Sequence, residues 1–168
     1  MVEKKLNLGS FIRPLPGFVN VDREPWDGVD KICDLNVLPW PFKDEEFDQV
    51  RAVDVIEHLG GLSKWEIVGE IARITKKGGR VTIGVPNGFH HVALACLQHA
   101  HWFWLTSFDP SYSQPWFTLL RIETSWLPYR FPFRKFLRLM TRLHFVEELT
   151  FTLEKRNVII PLLESGDK

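Results

Sequence analysis

Within the first 86 residues, five short apolar segments each end at or beside a glycine, an acid or a proline, and no other feature constrains the fold as strongly. Lys4-Lys5-Leu6-Asn7-Leu8-Gly9 alternates apolar and polar residues, the period of a strand with two unlike faces. Gly17–Asp22, Lys31–Leu35, Phe47–Val53 and Arg80–Val85 also read as strands, with turn residues between them. The stretch before the fifth segment has helical spacing instead. Ser63, with Glu66 three residues on, makes a capping box, and Trp65, Ile67, Val68, Ile71, Ala72 and Ile74 supply one apolar face. Lys76-Lys77-Gly78-Gly79 reads as the stop of that helix, with cations at its negative end. Strands in series with a helical connector predict an α/β fold on a mostly parallel sheet.

The chain has 168 residues, which suits a single domain spanning 1–168. Hydrophobic residues make up 45% and the 21 basic residues balance the 21 acidic ones, which excludes a disordered chain and a basic wrapper for nucleic acid. Two cysteines, Cys33 and Cys96, cannot build a disulfide framework, so a reducing, cytoplasmic setting is expected. No apolar run reaches the roughly 18 residues that a membrane span needs. The start Val2-Glu3-Lys4-Lys5 is no signal peptide, so we expect no transmembrane segment.

The second half is less regular. Phe89–His101 has the makings of a helix, and Trp102–Pro132 reads as an aromatic, proline-punctuated loop with short helical pieces. Together, residues of about 88–132 form an aromatic cap or insertion. Phe133–Leu143 places Phe133, Phe136, Leu137, Met140 and Leu143 on one helical face with Arg and Lys elsewhere. Phe145–Leu153 and Asn157–Leu163 read as the arms of a terminal antiparallel hairpin around Glu154-Lys155-Arg156.

Six pieces in order carry a resemblance. They are Leu6-Asn7-Leu8-Gly9; Pro16-Gly17-Phe18-Val19-Asn20-Val21-Asp22; Cys33-Asp34-Leu35-Asn36 with Leu38-Pro39-Trp40-Pro41-Phe42; Glu46–Val50; Val55-Ile56-Glu57-His58-Leu59; and Lys77-Gly78-Gly79-Arg80 before Val85-Pro86-Asn87. Over residues 4–87 this order resembles the small class I, Rossmann-like methyltransferases that use S-adenosylmethionine. The resemblance implies their fold, with reduced N-terminal helices because residues 10–17 are too few for a full crossover helix. It implies cofactor binding by Gly9 and Ser10 after the first strand, by Asp22 on the ribose hydroxyls, and by Asp34 and Leu35 at the adenine. One departure stands out. The family has a second glycine two residues after the first, and here Ser10-Phe11 follows Gly9, a degenerate glycine loop that sets a ring where a bare backbone is usual.

Asp54 and His58 follow the fourth strand, beside the expected methyl group, and are the candidate catalytic residues. An imidazole suits proton abstraction near neutral pH. The plainer reading of each remains open: Asp22 and Asp34 as turn-capping acids, Glu57 and His58 as local fixers of the loop after the strand. His90, His91, His99 and His101 fall within twelve residues, yet their spacing matches no known ligand set, and no metal site is assigned. The aromatic segment 102–126 suits a substrate cap, or a contact with a protein partner or a second copy, as aromatics concentrate at interfaces. Two functions are therefore weighed: a methyltransferase for an unidentified substrate, and a methyltransferase-like chain without activity that acts as an interaction or structural component.

Overall fold

A computed structural model describes residues 2–109, 115–126 and 146–156. Among the described residues, seven strands and two α-helices follow one another: β1 (Lys5–Leu8), β2 (Val19–Asp22), β3 (Lys31–Ile32), β4 (Phe47–Val53), α1 (Lys64–Ile74), β5 (Thr75–Pro86), α2 (His91–Ala95), β6 (Phe117–Trp126) and β7 (Val146–Lys155). They form one sheet in the order β3-β2-β1-β4-β5-β7-β6. The pairs among β1 to β5 are parallel, and β7 runs antiparallel to both β5 and β6.

The sheet is one-sided. Leu6 and Leu8, Val50 and Ala52, Val81, Ile83 and Val85, and Leu149, Phe151 and Leu153 are all buried, and they join Ile67, Ile71 and Ile74 of α1 in a single core. The alternate positions hold Asn7, Asn20, Arg51, Thr82, Thr150 and Thr152. A sheet with helices on both faces has strands that read as continuous apolar runs, whereas a period of two marks burial on one face. Among the described residues, no α-helix lies in the connections from β1 to β2, β2 to β3 or β3 to β4.

Side chains hold these helix-poor connections instead. Asn20, 5% exposed, accepts from Leu15 N at 2.8 Å and from Asn7 Nδ2 at 3.0 Å, and its own amide donates back to Leu15 O, which ties down the short β1–β2 crossover. The β3–β4 connection is anchored by Trp40, 1% exposed, whose Nε1 donates to Leu35 O at 3.0 Å and whose backbone N donates to Glu70 Oε1 at 2.7 Å. Arg73 on α1 reaches the same connection, donating to Trp40 O, Phe42 O and Asp44.

The capping box at Ser63 is present: Ser63 Oγ accepts from Glu66 N at 3.2 Å, and the Glu66 carboxylate accepts from Ser63 N at 2.8 Å. Several boundaries differ from the sequence reading. The helix stops at Ile74, because Thr75 donates its hydroxyl to Ile71 O and pairs directly with Phe47. Lys76–Gly79 is therefore a bulged stretch of β5, not a helix stop. The helix expected over Phe89–His101 shrinks to His91–Ala95. Phe117–Trp126, expected as loop, is strand β6, which pairs antiparallel with Val146–Lys155. Phe133–Leu143 and Asn157–Leu163 lie outside the described residues.

Candidate functional site

Parallel strands present their carboxyl ends along one rim, and an open α/β sheet holds its ligands there. At that rim Gly9 and Phe11 after β1, Asp22 and Arg23 at β2, Cys33 to Asn36 after β3, and Asp54, Val55 and His58 after β4 line one cavity of about 590 Å³. The volume falls in the range of small-molecule sites.

Gly9 has φ +63°, and a Cβ placed there would stand 2.4 Å from Val55 Cγ2. The glycine is thus required by the approach of the β1 and β4 ends as well as by any ligand. Phe11 has φ +44°, a left-handed conformation that a bulky residue rarely adopts. The chain keeps a glycine-like backbone at the position where the second glycine is missing. Its ring does not fill the cavity: it is half exposed at the rim and packs edge-on against Trp26, with centroids 5.0 Å apart. Phe11 N donates to Asp22 Oδ2 at 2.9 Å and Glu24 N donates to Oδ1 at 3.1 Å, so the loop orients the carboxylate and leaves each oxygen further lone pairs. Asp34 is fixed in the same manner, its Oδ1 accepting from Asn36 N at 2.9 Å. Leu35, 5% exposed, lines the wall.

Ser10 is placed otherwise. It is 3% exposed and does not line the cavity; its backbone N donates to Val21 O at 2.9 Å, and its Oγ has no partner. Asp54 is exposed at the rim with φ +54°, a region that aspartate tolerates better than most residues. His58 sits on the 3-10 turn Ile56–His58, and burial lowers the pKa of its imidazole, which favours the neutral ring. Glu57 beside it is 1% exposed, and burial, aided by the charges of Asp54 and Glu148, pushes its carboxyl up to about 7.

The four histidines of the 90–101 segment do not act as one group. His90 and His91 pack on each other, His99 packs on His58 with centroids 4.8 Å apart, and His101 Nε2 donates to Leu59 O. Part of the aromatic segment belongs to this chain's own core: Phe103, Phe108 and Phe117 are at most 2% exposed, and Trp116 packs on Trp65 of α1. Among the described residues, Trp102 of that segment and Trp65 of α1 are exposed. Sequence reasoning missed the contributions of Arg23, Cys33 and Asn36 to the wall, and the docking of residues 98–101 on the turn after β4.

Comparison with known proteins finds a partial sequence match and a shared fold. Residues 19–83 match the family model of the methyltransferase domain. The fold is similar to a methyltransferase of Archaeoglobus fulgidus described as dependent on S-adenosylmethionine, with a TM-score of 0.62 and 13% identity over 91% of this chain and 86% of that one. Over residues 19–83 the chain resembles a methyltransferase domain, and its fold is that of the class I methyltransferases.

Other similar structures agree in fold. The YcgJ protein of Bacillus subtilis gives a TM-score of 0.63 at 14% identity over 94% of both chains. A Haloferax volcanii complex between the Trm112 methyltransferase activator and a methyltransferase gives 0.60 at 13% identity, over 93% of this chain and 84% of that one. In sequence, 57 residues are 42% identical to an uncharacterised protein of Methanocaldococcus jannaschii, which is 34% of this chain and 24% of that protein. The matched stretch thus spans about a quarter of that relative's length. No helix among the described residues is long and apolar enough to cross a membrane.

S-adenosylmethionine is the cofactor on which the Archaeoglobus methyltransferase is described as dependent. The site fits it on two observations: the cavity stays open beside Phe11, and the Asp22 and Asp34 carboxylates both reach its wall in fixed orientations.

Proposed function

We propose that this chain is an S-adenosylmethionine-dependent methyltransferase acting on an unidentified acceptor. The observation that carries the reading is the cavity at the strand ends, lined at once by Gly9, Asp22, Asp34, Leu35, Asp54 and His58. When bound, the cofactor supplies an electrophilic methyl group on sulfur. The chain's own part is to bind and to orient, because an in-line displacement gains most from positioning.

In this reading Gly9 lets the backbone approach the ligand. Asp22 accepts from vicinal hydroxyls with the lone pairs that Phe11 N and Glu24 N leave free. Asp34 accepts from an amino group, and Leu35 supplies an apolar wall. Asp54 and His58 stand where the acceptor enters. His58 Nδ1 lies 3.3 Å from Gln98 O, and a carbonyl only accepts, so the proton of the neutral ring sits on Nδ1. Nε2 is then the lone pair that takes a proton from an acceptor. A scaffold without activity would be favoured by a ring filling the cavity, and Phe11 stands against Trp26 instead. One similar structure contains an activator protein, so a protein partner is a further expectation for this chain, with Trp65 and Trp102 as its exposed aromatics.

Melting curves test the reading. S-adenosylhomocysteine at about 100 times its dissociation constant stabilises a fold by roughly 2.7 kcal/mol, which at this size is about 5–10 °C. A shift of that order supports the proposal; an unmoved curve at millimolar ligand ends it.

A further inference from the structure

Glu57 is the side chain that the cofactor pocket leaves unexplained. It is 1% exposed, and neither of its carboxylate oxygens has a hydrogen-bond partner. A buried, unpaired carboxylate is costly unless a cation or donors compensate it. Its neighbours are two imidazoles. His58 Nε2 lies 3.9 Å from Glu57 Oε1, and one ligand atom from each of Glu57, His58 and His99 lies within 4.8 Å of the other two.

Both rings are held by their far nitrogens. His58 Nδ1 faces Gln98 O at 3.3 Å and His99 Nδ1 faces Ala93 O at 2.9 Å. Each Nδ1 must be the donor, which leaves Nε2 of each neutral ring as a lone pair. Metal-binding histidines are oriented in this way, with the second nitrogen donating to a carbonyl. The segment that carries His99 is fixed to the same turn, since Ala100 N and His101 N both donate to Glu57 O, at 2.8 and 3.1 Å.

We propose that Glu57, His58 and His99 bind one divalent transition-metal ion, for which zinc is the best match to two imidazoles and a carboxylate. Such a set leaves one tetrahedral position open for an oxygen ligand. His58 also lines the cavity, beside Asp54, so the ion stands at the cavity wall. The ligand class is a hydroxyl: bound to the ion it loses its proton to solvent, and the oxygen keeps the electron pair. With the ion bound, His58 Nε2 is a ligand and the ion replaces it as the group that frees the acceptor's proton; that use of the site rests on the methyltransferase reading, whereas ion binding does not.

The full chain, stripped with a chelator, is titrated with zinc by calorimetry and with cobalt(II) by visible absorption. We expect one zinc per chain and the intense visible band of four-coordinate cobalt. Glu57→Gln and His99→Ala each weaken zinc by at least about 100-fold, more than the loss of an outer hydrogen bond, and His91→Ala leaves the affinity unchanged. Absence of zinc binding, a weak six-coordinate cobalt spectrum in the wild type, or equal loss in His91→Ala overturns the inference. The wild-type spectrum decides even if a variant does not fold. S-adenosylhomocysteine is titrated into the same samples: its binding without zinc sinks only the metal site, and zinc binding without it sinks only the methyltransferase reading.

Discussion

Phe11 shows a side chain changing while the backbone beneath it does not. At φ +44° it stands where a glycine would carry no strain, and its ring has turned outward to Trp26. The left-handed conformation costs a side-chain-bearing residue roughly 1–2 kcal/mol, against about 0.5–1 kcal/mol of extra chain entropy that glycine loses on folding. Phe11→Gly therefore changes the melting temperature by no more than about 6 °C. It also leaves the affinity for S-adenosylhomocysteine within about threefold, under the tenfold that 1.4 kcal/mol represents. A gain beyond tenfold in calorimetry would show that the ring obstructs the cavity after all. Glu57 makes the second residue-scale prediction. Its folded pKa of about 7 lies above the ordinary carboxyl value of 4.5, so the native state holds the proton more tightly than the unfolded chain. Stability of chelator-treated protein is then greatest below about pH 4.5, falls as pH rises, and is lowest above about pH 7. At about 1.4 kcal/mol per unit, the loss is roughly 3 kcal/mol at most. Denaturation from pH 5 to 8 should show that fall in the wild type and a flatter profile in Glu57→Gln; parallel profiles would contradict it.

At the scale of elements, α1 begins where its capping box says it should, and Ser63→Ala should cost about 1 kcal/mol and lower the melting temperature by about 3 °C. A change below half a degree would mean that tertiary contacts alone set the helix start. Local signals of this kind were legible because they depend on neighbours in the chain. β6 was not legible, for a physical reason. Its register slips between Leu119 and Arg121, so Phe117 and Leu119 are in one phase of the alternation and Ile122 is in the other. A bulge breaks the period of two that a strand is read by. The stretch after Ile74 failed likewise, since Lys76–Gly79 has the cations and glycines of a helix stop yet forms a bulge beside Phe47 and Gln49. The site divides in the same manner. Gly9, Asp22 and Asp34 end strands, and their convergence follows from a parallel sheet. His99 reaches Glu57 and His58 only through hydrogen bonds of an irregular segment, which no spacing announces.

For the whole molecule, the alternation legible in β1 recurs in β5 and β7. One sheet face is apolar and the other polar, and the core lies on the apolar side with α1. The crossovers that lack helices are held by Asn20, Trp40 and Arg73, so the strand ends converge on one cavity with few elements around it. The central claim is that this cavity is a cofactor site read through Asp22. The most direct measurement is calorimetric titration of S-adenosylhomocysteine into the wild type and Asp22→Asn side by side. A hydrogen bond to a charged group is worth about 1.5–3 kcal/mol, so the account predicts affinity about 10- to 100-fold weaker in Asp22→Asn at an unchanged melting temperature. Equal affinity in the two proteins, or none in either, would contradict it.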